Sequence, residues 1–212
     1  MSSPGTGIES IDRKVIQLFA LVSEALAQAT HALLGGEALL GQAVVDGDQA
    51  VDDLTAEVEL LVWNELQERH CEGDELRYLV AMLLIIPELE RSADLAEHIA
   101  QRAVDHLGSD MSARSRGIVQ LMTEVANEMW QEAADAFGRR SRISERLVEA
   151  DDEMDIFHDD LTREVAREEM PAAIAAQVTL LARFYERLGD HAVNLARRIE
   201  LLADTNPRVD DK

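Results

Sequence analysis

A stretch near the carboxyl end, Tyr185-Glu186-Arg187-Leu188-Gly189-Asp190-His191-Ala192-Val193-Asn194-Leu195-Ala196-Arg197, has an earlier, weaker copy. The copy is Leu89-Glu90-Arg91-Ser92-Ala93-Asp94-Leu95-Ala96-Glu97-His98-Ile99-Ala100-Gln101. Glu90 and Glu186, Arg91 and Arg187, Asp94 and Asp190, and Ala96 and Ala192 each stand 96 residues apart. A repeat constrains a fold more than composition does, because the same unit must be built twice and then packed together. Earlier positions match in a second register: Phe19 with Met122, Val22 with Val125, Gly35 with Gly138, Asp48 with Asp151 and Asp52 with Asp155 are each 103 apart. The offset changes between these two sets, so the first half carries about seven extra residues, roughly one helical turn in each arm of a hairpin.

Helix formers dominate, and apolar residues recur at spacings of three and four with no strand-like alternation. The pattern predicts an all-α chain of six long helices, arranged as two tandem homologous three-helix bundles spanning residues 1–108 and 109–212. In the first half the helices are expected at about Ile8 to Val45, Asp46 to His70 and Glu75 to Leu107. In the second they are expected at about Ser112 to Val148, Glu149 to Glu169 and Pro171 to Ala203. Gly35-Gly36 weakens the first helix and offers a place for a kink or break. Pro87 falls inside the third, where the stripe keeps its phase, so a kink is expected and not an end. Gly108-Ser109-Asp110 reads as the linker between halves. The last helix has the cleanest seam: Val178, Leu181, Tyr185, Leu188, Ala192, Leu195, Ile199 and Leu202.

The charge is lopsided, with 42 acidic against 20 basic residues and a formal net charge of -22. That sign disfavours nucleic acid and anionic membrane surfaces as partners, and favours cations or basic protein surfaces. The lone Cys71 excludes an internal disulfide and fits a reducing compartment. The apolar run Leu79 to Pro87 is far shorter than the roughly 20 residues of a membrane span. A cytoplasmic chain with no direct membrane insertion is therefore expected.

Four pairs of acids sit one helical turn apart: Asp48 and Asp52, Glu90 and Asp94, Asp151 and Asp155, Glu186 and Asp190. In an antiparallel hairpin, residues equidistant from the turn face one another. Asp52 with Glu90 and Asp48 with Asp94 both centre on Cys71; Asp155 with Glu186 and Asp151 with Asp190 centre between Met170 and Pro171. Each half thus gathers four carboxylates at one height. Such groups repel, and a multivalent cation relieves the repulsion. All-oxygen ligands suit Mg²⁺, Ca²⁺, Mn²⁺ or an iron centre with bridging carboxylates. The Glu-x-x-His spacing of di-iron bundles is not supplied by these motifs. Relative to the seam, the acids fall on helix flanks, outside the hydrophobic core. Gly189 reads as a point of close approach; His98 and Asn194, one turn beyond Asp94 and Asp190, read first as ordinary surface residues and second as a further ligand or a hydrogen-bond partner for a carboxylate.

Glu186-Arg-Leu-Gly-Asp-His-Ala-Val-Asn-Leu-Ala196, with its weaker earlier copy, resembles the signature of the PhoU family of phosphate-transport regulators. The first copy departs from it, with Ser92-Ala93 in place of an aliphatic-Gly pair and His98 in place of Asn. The resemblance implies two three-helix bundles, each with a metal cluster. The ligands would be Asp48, Asp52, Glu90 and Asp94 in one, and Asp151, Asp155, Glu186 and Asp190 in the other. It implies divalent or trivalent ions (Mg, Mn, Fe or Zn) and a non-enzymatic adaptor. Such an adaptor represses phosphate-starvation signalling by contacting a sensor histidine kinase and the ATPase subunit of the phosphate ABC transporter. A homodimer is the default assembly. A carboxylate-bridged metalloenzyme and a metal-free structural helical dimer are the alternatives.

Overall fold

The computed structural model describes residues 6–68, 71–167 and 169–203. Within them lie α1 (Thr6–Gly35), α2 (Ala38–Glu68), α3 (Gly73–Val104), α4 (Leu107–Asp110), α5 (Ala113–Arg139), α6 (Ser144–Arg167) and α7 (Ala172–Ala203). α4 is a single turn. The other six are the expected long helices, three to each half, and the described residues contain no strand.

Four helix boundaries, at two reversals, differ from the sequence reading. The first helix ends at Gly35 and not near Val45, and the second begins at Ala38 and not near Asp46; the fourth long helix ends at Arg139 and not near Val148, and the fifth begins at Ser144 and not near Glu149. Gly36 takes a positive φ of 70°, and Glu37 N–H reaches back to Ala32 O at 2.9 Å. That closure satisfies a terminal carbonyl and turns the chain, a task for which glycine carries no Cβ penalty. In the second half Arg140 does the same at φ 54°, with Ser141 N–H donating to Ala136 O at 3.1 Å. A non-glycine residue there needs outside support. Arg140 has it: the guanidinium pairs with Asp12 and lies 4.4 Å from the Phe137 ring centroid. The expected ends at His70 and in the tail from Asp204 lie outside the described residues.

Pro87 sits inside α3, which continues through it. The Arg198 guanidinium donates to the Leu84 carbonyl in the turn that Pro87 interrupts. The expected linker Gly108-Ser109-Asp110 is helical and belongs to α4. His106, in the left-handed region at φ 61°, breaks the chain between α3 and α4. Ser112 then caps α5, its hydroxyl accepting from Ser115 N–H at 3.0 Å.

α1 and α3 pack on each other, and across the halves α1 meets α5 while α3 meets α7. One apolar core therefore runs through both halves. α2 lies against α1 and α3, and α6 against α5 and α7. Every residue of the expected α7 seam is buried. α1 is long and apolar enough to cross a membrane by composition, but Val15, Leu18, Val22, Leu26 and Leu33 are fully buried in the fold. Burying each large side chain contributes about 1.5–3 kcal/mol. Polar contacts also join the halves. Tyr185 is fully buried, its hydroxyl 2.5 Å from Thr30 Oγ1 and 3.2 Å from Thr123 Oγ1. Tyr78 OH donates to Asp12 at 2.7 Å, tying α3 to the residue that Arg140 also grips.

Gly108 shows how tightly α4 is seated, since a Cβ there would lie 1.9 Å from the Leu33 carbonyl oxygen. Backbone cannot yield as a side-chain tip can. Gly108→Ala is expected to cost about 2 kcal/mol in urea denaturation. Gly117→Ala, on the exposed face of α5 with nothing within 4 Å, is expected to stabilise by up to about 1 kcal/mol.

Candidate metal centre

Each half places its acids on a hairpin, α2 with α3 and α6 with α7. The turns fall where the equidistance argument needs them, because α3 starts at Gly73 and α7 at Ala172. Alternating inward and outward positions leave Asp48, Glu90 and Asp94 half-buried and Asp52 exposed; Asp151 and Glu186 are half-buried and Asp155 and Asp190 exposed. The acids flank the core without entering it.

In the first half Asp48, Asp52 and Asp94 each offer a carboxylate oxygen, all within 4.8 Å of one another. Among the described residues no other three His, Cys, Asp or Glu side chains come so close. Burial, then Asp52, Glu97, Asp94 and Glu90 in turn, push the Asp48 carboxyl up to about 6. Glu90 is raised by burial and by Asp94, Asp52 and Glu59, against Arg91. Asp94 is raised by burial and Asp52, with His98 and Arg91 opposing. A cleft of about 150 Å³ opens beside Asp48 and Glu97, lined also by Leu21, Glu24, Val51 and Ala93.

The second half has the same layout with a different electrostatic finish. Burial, then Asp190, Asp155 and Glu186, push the Asp151 carboxyl up to about 6. Glu186 is raised by burial, with Arg183 and His158 opposing Asp190 and Asp155. Arg183 pairs directly with Glu186 Oε1, while the buried Oε2 has no hydrogen-bond partner. Gly189 is a point of close approach, as expected: a Cβ there would meet Asp151 Oδ1 at 2.5 Å. The missing side chain lets α6 bring Asp151 against α7.

The donor set fits a hard cation. It is all carboxylate oxygen, its members repel one another at neutral pH, and one buried oxygen lacks a partner. Glu90 stands with the first trio electrostatically, so Asp48, Asp52, Glu90 and Asp94 would hold an ion there. Asp151, Asp155, Glu186 and Asp190 would do so in the second half.

His98 is exposed and stacks on Phe184 at 5.3 Å between centroids, and Arg91 pairs with Glu88 at 2.9 Å. Sequence reasoning missed the buried centre next to these motifs. Glu88 is almost fully buried and pairs with His191, with Arg198 at 2.6 Å and with Arg91. Burial alone would raise its carboxyl, but the His191 hydrogen bond, Arg198 and Arg91 together hold it at about 2. A signal was present. The repeat aligns Glu88 with Phe184 and His191 with Leu95, so polar residues occupy two positions that are apolar in the other copy.

A PhoU domain model matches residues 15–103 and again 119–199. The chain belongs to the PhoU family. The phosphate-specific transport system accessory protein PhoU homolog of Rhizobium meliloti (strain 1021) is 26% identical over 208 residues, covering 96% of this chain and 88% of that protein. The homolog of Aquifex aeolicus (strain VF5), of the same description, is 30% identical over 185 residues, covering 85% of this chain and 83% of its own length. The crystal structure of PhoU from Pseudomonas aeruginosa superimposes with a TM-score of 0.89 at 22% identity, covering 96% of this chain and all of that one, and so shares the fold.

The raised Asp48 carboxyl carries a sign. The folded chain holds a proton there that the unfolded chain has lost between about pH 4 and 6, so this group's contribution to stability falls as pH rises through that window. Asp48→Asn removes the repulsion. In chelator at pH 7.5 the variant is expected to melt about 2 °C above the parent, as ~1 kcal/mol at a partly solvated site would give. The gap should close below about pH 4, and a saturating divalent cation should reverse it, because only the parent then gains binding energy.

Proposed function

We propose that this chain is a non-enzymatic regulator of phosphate uptake and phosphate-starvation signalling, acting in the cytoplasm. It represses the response by contacting the ATPase subunit of a phosphate ABC transporter and a sensor histidine kinase. The observation that carries this reading is the double PhoU match across nearly the whole chain. Relatives of matching length, named as accessory proteins of phosphate-specific transport, support it. The halves divide near residue 108, and each contributes one surface metal centre. Asp48, Asp52, Glu90 and Asp94 form the first, and Asp151, Asp155, Glu186 and Asp190 the second.

The chemistry of the surface agrees with an adaptor. An ion held by carboxylates on helix flanks would pin each hairpin at the height of its acids. A net charge of -22 would steer the protein toward basic partner surfaces. The family's partners supply the identity of those surfaces; the charge supplies only the attraction.

Deleting the protein is expected to raise phosphate uptake in phosphate-replete cells and to leave starvation genes switched on. The tagged full-length chain should capture the transporter ATPase and the kinase, each confirmed with purified components. Normal uptake together with no binding to either purified partner would contradict the proposal. Turnover of a substrate by the metal-loaded protein would favour a metalloenzyme instead.

A further inference from the structure

The two acidic clusters are built from matching positions, so their differences can be compared residue by residue. Three residues before the cluster glutamate, the second half has Arg183 and the first has Pro87. Three residues beyond the outer aspartate of the hairpin, the second half has His158 and the first has Thr55. Seven residues beyond that aspartate the first half has Glu59 and the second Thr162; three beyond the α3 or α7 aspartate it has Glu97 and the second Val193. At each of these four positions the first half is more negative or less positive than the second.

These side chains bear on the clusters. Glu97 and Asp48 line the same cleft, and Glu59 acts on Glu90. Arg183 grips one oxygen of Glu186, and His158 also acts on it. No basic side chain pairs with Glu90 among the described residues. The geometry differs as well: three carboxylates converge within 4.8 Å in the first half, and among the described residues no such trio is found in the second.

We infer that the two clusters are unequal cation sites, the first binding the tighter and more highly charged load, and that Arg183 is a resident counter-ion competing with metal for Glu186 in the second. This rests on the metal-binding reading above. Arg183 is more than half exposed along a flexible stem, so it can swing away when an ion arrives. Metal binding there is an exchange of one cation for another. At the first site Arg91 and His98 act on the acids only from a distance, Arg91 being paired with Glu88, so no direct ion pair must be broken.

The test is a titration of the chelator-stripped full-length protein with Mn²⁺, free metal being read by electron paramagnetic resonance. Two affinity classes are expected in the parent. Asp94→Asn should remove the tight class and Asp190→Asn the weak one. Arg183→Gln should tighten the weak class by roughly three- to fivefold, the upper worth of one displaced exposed pair. Arg183→Lys, which keeps the charge, should leave it within about twofold of the parent. Circular dichroism should show unchanged helicity in each. An unaltered weak class in Arg183→Gln, or loss of the tight class in Asp190→Asn, would overturn the inference while leaving metal binding intact. A parent that binds no Mn²⁺ would instead overturn the metal reading on which it rests.

Discussion

Repulsion between carboxylates held side by side governs how the rest of this fold must be built. Two hairpins bring acids to the same height on neighbouring helices, and burial together with the neighbouring acids makes both Asp48 and Asp151 hold their protons to about pH 6. Arg91 and His98 in the first half, and Arg183 and His158 in the second, offset part of that cost. The rest is met by the apolar interior, where α1, α3, α5 and α7 pack into one core shared by both halves. α2 and α6 are each fastened to that core along one face, and the acids sit at the edge where the fastening gives way to solvent. A cation at that edge would turn an electrostatic liability into a clamp on each hairpin.

The near-symmetry of the halves is as informative where it fails as where it holds. At the α3–α7 contact, Glu88 meets His191 and Arg198. The corresponding positions around the pseudo-axis are Phe184, Leu95 and Arg102, and Arg102 lies 5.7 Å from the Phe184 ring centroid. One side of the interface is thus an ion-paired centre and the other an aromatic one. The arginine is kept in both, serving a carboxylate on one side and a ring face on the other. Breaking the polar side by removing one member would strand a buried charge, whereas trimming its apolar counterpart would leave only a cavity.

Much of this is legible in the amino-acid sequence. The α7 seam could be read because residues four and three apart share a helix face, and every member is buried. The facing acids could be read because distance from a turn fixes who meets whom in a hairpin. The helix ends near Gly36 and Arg140 were misplaced for a physical reason. The chain reverses there in a few residues and the next helix packs on the same core, so the apolar stripe resumes with little sign of a break. Gly35-Gly36 marked the first reversal; Arg140 hid the second, because its left-handed backbone is held by Asp12, a partner 128 residues away. Glu88 and His191 stand out as polar residues at positions that are apolar in the other copy, but their pairing is not legible in the sequence, since only packing α3 on α7 brings them together. The stronger motif also did not foretell the tighter trio. Gly189 marks the better copy of the signature, while Arg183, outside the motif, already pairs with Glu186 in the cluster it introduces.

Anomalous diffraction at the manganese edge, from crystals of the full chain grown with Mn²⁺, tests the central claim most directly. Peaks between Asp48, Asp52 and Asp94 and between Asp151, Glu186 and Asp190 are the expected result. Manganese found only elsewhere on the acidic surface, with both clusters empty, would contradict it.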